Sequence, residues 1–156
     1  MNTAILTQDA AKNWGVSFPY KNSGRWPARY VEVHVQSYIA PPIKSGSAIG
    51  TAALSCDPAD EDSLPMGPQD GYQWTAELSP PPSQDQITDI HRGTLGLYLV
   101  GCIGYRDDLG NPYRTPVCQV YIPNANDAPN AFGLCTLRRE APNPNAQPNF
   151  VPVEPD

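Results

Sequence analysis

Four cysteines, two histidines and a few grouped carboxylates are the side chains of this 156-residue chain with the widest chemical reach. A metal centre needs ligands at short, repeated spacings. Cys56, Cys102, Cys118 and Cys135 contain no C-x-x-C pair, and only His34 and His91 could supplement them, so no metal site is expected. The acidic run Asp57, Asp60, Glu61, Asp62 offers hard oxygen ligands without the D-x-[DN]-x-[DN]-G order of a calcium loop, and reads as a solvated loop. Gly46-Ser47 does not fit the G-x-S-x-G elbow, and neither a glycine-rich loop opening a helix nor an H-E-x-x-H pair occurs. A hydrolase would have to take His34 or His91 as its base. Asp107 and Asp108 are chain neighbours, whereas carboxylates sharing acid and base work face one another across about 5 to 10 Å. No catalytic residue is assigned and no cofactor is implied.

The cysteines are better candidates for disulfides, and an even number of them fits an oxidising compartment. A Cys102–Cys118 bridge would close a loop of about 15 residues and stabilise by roughly 3 kcal/mol if unstrained. Adjacent-strand geometry is awkward for it, and Cys118–Cys135 is the rival pairing. For recognition, the aromatic residues stand out. Tyr30, His34 and Tyr38 share one face of an alternating segment, with Tyr20 near it and Trp26 in the preceding turn, and amphipathic rings favour binding surfaces.

These side chains must be positioned by strands. Nineteen prolines and twelve glycines make long helices untenable, while 40% hydrophobic and 17% charged residues make too apolar a chain for disorder. The length suits one domain. Trp14 to Tyr20 reads as a strand ending in the turn cluster Lys21 to Arg25. Tyr30 to Ile39 alternates strictly, with Val31, Val33, Val35 and Ile39 on one face and Tyr30, Glu32, His34, Gln36 and Tyr38 on the other, directed at solvent or a partner. Ala48 to Leu54 and Gln73 to Leu78 are further strands inside and after a long proline-rich loop over Pro41 to Gly71. After Pro80-Pro81-Pro82, Ser83 and Gln86 have capping-box spacing and Gly93 suits a left-handed cap, predicting one short helix over 84–92.

Thr94 to Arg106 and Tyr113 to Ile122 form a hairpin through Asp107 to Pro112. Pairs whose numbers sum to 220 set Tyr98 against Ile122, Val100 against Val120 and Cys102 against Cys118, keeping like faces together. Phe132 to Leu137 is a last strand. The sandwich is thus expected over 14–139, and the proline-rich tail over 140–156 is expected to be extended or disordered.

Two patches carry a resemblance. Asn22-x-Gly24-x-x-Pro27-Ala28, and Gly101-x-Ile103-x-Tyr105-x-Asp107-x-x-Gly110 followed by Thr115-x-x-Cys118, resemble motifs of a group of uncharacterised bacterial proteins. In that group a small extracytoplasmic immunoglobulin-like β-sandwich usually follows a membrane anchor. The resemblance implies such a sandwich of about seven strands here and a periplasmic setting if an anchor lies upstream, and it carries no established activity with it. Trp26 departs from the group's small hydroxyl residue. Physically both patches read as architecture: Gly24 supplies a positive-φ turn position, Pro27 fixes a dihedral before the strand, Asp107 accepts turn amides and Gly110 permits the reversal.

A net charge of −6 with scattered basic residues argues against nucleic acid as a partner. No apolar run is long enough to insert in a membrane, and Met1 to Asn13 lacks the character of a secretory signal, so the chain as written reads as soluble. The leading expectation is a non-enzymatic binding or protein-interaction module using Trp26, Tyr30, His34 and Tyr38. The alternatives are a self-associating structural subunit of a surface or virion assembly and a small hydrolase.

Overall fold

The computed structural model describes residues 4–42, 48–51, 56–62, 65–123, 131–139 and 152–153, with 48–51, 136–139 and 152–153 described by backbone alone. Seven strands make an all-β sandwich. One antiparallel sheet has the order β1 (Ile5–Gln8), β2 (Trp14–Lys21), β5 (Gly71–Glu77). The other has the order β3 (Arg29–Ala40), β6 (Gly96–Arg106), β7 (Pro112–Tyr121), β8 (Phe132–Leu134). A small third sheet sets β4 (Ala48–Thr51) between β9 (Thr136–Arg139) and β10 (Pro152–Val153). Except for β10, the proline-rich tail expected over 140–156 lies outside the described residues, as do Ser47 and Leu54.

Alternation builds the core. Val16 and Phe18 of β2, Val35 of β3, Leu97 and Leu99 of β6 and Val117 of β7 are buried between the two main sheets. Each such side chain removed from water is worth about 1.5–3 kcal/mol. Trp74, Ala76 and Leu78 share the inward side of β5 as their spacing predicts, Leu78 being buried and the other two half-buried. Central strand β6 is buried on both faces, because Tyr98 and Val100 pack outward against Tyr38, Val120 and Cys135.

The helix α1 (Gln84–Arg92) joins β5 of one sheet to β6 of the other. Its capping box is complete: Gln86 N–H donates to Ser83 Oγ at 3.1 Å, and Ser83 N–H donates to Gln86 Oε1 at 2.9 Å. Gly93 ends it in the left-handed conformation, φ 79°. Ile87 and Ile90 turn inward to the core.

Strand β1 was not anticipated from the sequence. It pairs with β2 from Ile5↔Ser17 to Gln8↔Trp14 and seals one side of the sandwich against β8. Phe132 N–H donates to the Ala4 carbonyl at 3.2 Å, and Ala4 N–H donates to the Gln119 side chain at 2.6 Å. That second bond explains a buried glutamine near the end of β7.

The β6–β7 hairpin keeps the expected faces but not the expected register. Its pairs sum to 218, setting Cys102 against Pro116, Val100 against Cys118 and Tyr105 against Tyr113. The turn decides this. Asp107 N–H donates to the Asn111 carbonyl and Gly110 N–H to the Asp107 carbonyl, so Arg106 pairs with Pro112 and the loop is two residues tighter than a 220 register requires. A shift of two leaves every side chain on its original face.

The expected Cys102–Cys118 bridge is therefore corrected. Cys102 bonds to Cys56 and Cys118 bonds to Cys135. Both cysteines point to the outer face of the four-stranded sheet; Cys102 is met by the segment that carries Cys56, and Cys118 by Cys135, which extends the β7–β8 ladder and donates its N–H to the Cys118 carbonyl at 3.1 Å. Two disulfides fit an oxidising environment, and no helix among the described residues is long and apolar enough to cross a membrane.

Candidate functional site

The acidic run does not stand free. Residues 56–62 lie as a strap across β3 and β6, bonded at one end through Cys56–Cys102. Next to that bond, His34 Nε2 donates to the Asp57 carbonyl at 2.8 Å. Ala59 N–H then donates to the Tyr30 carbonyl at 2.8 Å. At the far end the Asp62 carboxylate accepts from Arg29 Nε at 2.7 Å and from the Tyr30 amide at 3.0 Å. Gly104 makes room for the strap: a Cβ there would lie 2.3 Å from the Cys56 carbonyl oxygen. Among the described residues, no three of His, Cys, Asp or Glu converge on a point where a metal could sit.

The strap divides the four residues assigned to recognition. Tyr30 sits at a bulge where the β3–β6 register shifts between Arg29 and Glu32, with a left-handed backbone, φ 52°. His34 lies beside it, tied to Asp57. Tyr38 is further along β3, its hydroxyl donating to Gln36 Oε1 at 2.5 Å and its pKa raised by burial. It lines a groove of about 660 Å³ between edge strands β3 and β5. Trp26 is elsewhere, at the opposite end of the sandwich. His91, the other histidine, packs edge-on between Trp14 and Tyr121 at ring separations of 5.9 and 5.8 Å.

Around Trp26 the structure gathers residues of both sequence patches. A cleft of about 460 Å³ opens between the turn 22–28 and the β6–β7 hairpin, within the usual range of small-molecule sites. Trp26 stands at its rim with 74% of its surface exposed. Tyr105 and Tyr113, directly opposed across the hairpin, stack at 5.7 Å with an interplanar angle of 20°. Tyr20 lines the inner end and stacks on Tyr72 behind it at 6.2 Å. Burial raises the Tyr20 pKa, with Tyr72 and Glu32 adding to the effect.

The walls are rigid for reasons visible in the sequence. Asn22 acts as a knot: its Oδ1 accepts from Gly24 N–H at 3.0 Å, while its Nδ2 donates to the Trp26 carbonyl at 2.9 Å and the Met66 carbonyl at 3.1 Å. Gly24 is not in a positive-φ conformation, contrary to expectation; its role is close approach, since a Cβ would lie 3.1 Å from that Asn22 oxygen. After Pro27, Ala28 and Met66 exchange two backbone hydrogen bonds of 2.8 Å. On the hairpin side Asp107 accepts from Leu109 N–H, Asn111 N–H and Asn111 Nδ2, each at 2.9 Å, and from the Tyr113 hydroxyl at 3.3 Å. The Asn111 side chain foremost holds the Asp107 carboxyl below its usual range, and the Asp107 charge in turn raises the Tyr113 pKa. Gly110 takes φ 84°, as the turn requires. Thr115 lines the cleft from β7.

Trp26, Tyr105 and the turn residues of this cleft stand out in the sequence, whereas the stack of Tyr113 on Tyr105 does not. The 220 register sets Tyr105 against Thr115, so the Tyr105–Tyr113 stack stayed hidden. A turn count at Asp107 to Asn111 was the signal that could have revealed it. Cys56, whose neighbours are prolines and acids, gave no comparable signal for its partner. In comparisons with known proteins, the chain matches no protein-family model, no curated protein and no solved structure.

Proposed function

We propose that this chain is a non-enzymatic binding module of an oxidising, extracytoplasmic compartment, and that it engages its ligand at the cleft beside Trp26. The observation that carries this reading is Trp26 itself: a tryptophan three-quarters exposed on the rim of a rigid, ring-lined cleft. Exposed indole is costly to leave in water, and rings of this kind anchor ligands at low entropic cost. The two disulfides support the compartment. The orders β1-β2-β5 and β3-β6-β7 correspond to the A-B-E and C-F-G strands of an immunoglobulin-like sandwich, which supports that likeness of architecture.

Quenching of tryptophan fluorescence by iodide tests the reading. Trp14 and Trp74 are half-buried, so Trp26 is the main quenchable indole. A ligand in the cleft protects it from quenching, and Trp26→Ala weakens the binding tenfold or more. A ligand bound with full strength by Trp26→Ala would refute the assignment.

A second reading, self-association in an assembly, draws on Ile5 and Ile122. They are 49% and 43% exposed, and both are bonded through their backbones to Ala131 at the β1–β8 seam. Light scattering over a concentration series distinguishes a monomer from an oligomer, and Ile5→Glu should dissolve an oligomer built on the seam.

A further inference from the structure

We propose that the cleft beside Trp26 takes an acidic sugar, a pyranose ring bearing a carboxylate or sulfate; this rests on the reading of the cleft as the ligand site. The argument is one of matching surfaces. A pyranose presents apolar C–H faces edged by hydroxyls, and it stacks on flat aromatic rings while its rim seeks hydrogen bonds. Trp26, Tyr105 and Tyr113 supply the rings, and the hydroxyls of Ser23 and Thr115 lie in the same lining. The volume, about 460 Å³, holds one or two such rings.

Charge then selects among sugars. The lining contains two cations, Lys21 and Arg25, and one carboxylate, Asp107. Asp107 keeps its charge, but its oxygens already accept four hydrogen bonds from its own turn and from Tyr113, so it offsets one of the two cations without pairing with either. Neither Lys21 nor Arg25 makes an ion pair among the described residues. Two unpaired cations against one carboxylate leave the cleft lining net positive, a local inversion of sign on a chain whose net charge is −6. Guanidinium and ammonium groups at such a spot favour carboxylate or sulfate oxygens through charge-assisted hydrogen bonds. A cationic ligand, which the rings alone would also accommodate, is disfavoured by the same pair.

Calorimetric titration with three probes tests this: a linear hexauronate, its carboxyl-reduced neutral counterpart, and a hexaglutamate peptide carrying charge without sugar rings. The expected result is hexauronate binding at least tenfold tighter than either control. That preference should fall as salt rises from 50 to 500 mM, and Lys21→Gln/Arg25→Gln should remove it. Trp26→Ala should weaken both sugars tenfold or more. Lys21 ends β2 and Arg25 and Trp26 lie on the turn that follows, all three exposed, and unfolding midpoints should match the parent. Equal affinity for the two hexasaccharides overturns the acidic preference while leaving the cleft as a sugar site. Hexaglutamate binding as tightly as hexauronate, or neither sugar binding, overturns the sugar. Full-strength binding to Trp26→Ala overturns the cleft assignment itself.

Discussion

The Asp62 carboxylate accepts the backbone amide of Tyr30 at 3.0 Å, across a sequence separation of 32 residues. Tyr30 holds a left-handed backbone, φ 52°, which a bulky residue adopts only when its surroundings enforce it. The strap and the bulge therefore fix one another.

Removing that clamp should be felt at once. Asp62→Ala is expected to lower stability by about 1–2 kcal/mol, through the lost acceptor for a half-buried amide. Arg29→Met should cost no more than about 0.5 kcal/mol, because its side chain is 50% exposed and such pairs contribute little. Urea midpoints of the two variants check the difference.

The disulfides give a second expectation. Non-reduced peptide mapping should recover Cys56 linked to Cys102 and Cys118 linked to Cys135. With sequence separations of 46 and 17, the chain-entropy model assigns about 4 and about 3 kcal/mol to them. The Cys56→Ser/Cys102→Ser pair should therefore lose more stability than Cys118→Ser/Cys135→Ser.

Gly104→Ala provides a steric test of the strap with both sulfur bonds intact. The added methyl meets the backbone carbonyl of Cys56 at 2.3 Å and the Asp57 carbonyl at 2.7 Å, so the strap must shift. Amide exchange at Ala59 should rise by tenfold or more, whereas Gly110→Ala, with nothing within 4 Å, should leave Ala59 unaffected and cost about 1 kcal/mol through its φ of 84°.

The hairpin turn predicts a pH effect of defined sign. Asp107 has a lowered pKa in the folded chain, its Asn111 side-chain bond being the main cause. Its contribution is present above the unfolded carboxylate pKa of about 3.9 and disappears as pH falls through the lower folded value. Stability of the parent and of Asp107→Asn should thus differ at pH 6 and converge in strong acid. Tyr113, raised chiefly by the Asp107 charge, should return toward its ordinary pKa in Asp107→Asn, read by phenolate absorbance.

Local rules made much of this legible. Ser83, Gln86 and Gly93 act within one helix, and the alternation from Val31 to Ile39 needs only its own segment, so both could be read from neighbours in sequence. The hairpin face was legible but its register was not, because periodicity has a two-residue ambiguity that only the turn's hydrogen bonds resolve. Asn22 looked like turn chemistry and is that, yet its reach to Met66 depends on a contact 44 residues away. Cys56–Cys102, Arg29–Asp62 and β1 likewise depend on tertiary proximity, which no local pattern encodes.

The seam between Ala4 and Phe132 also sets an order of events. Its partners are separated by most of the chain, so closing it is among the most expensive steps in loop entropy and cannot precede the emergence of β8 during synthesis. Until then the outer edge of β1 is open to other chains. A nascent domain of this kind is most exposed to misassembly in the interval before its earliest strand finds its late neighbour.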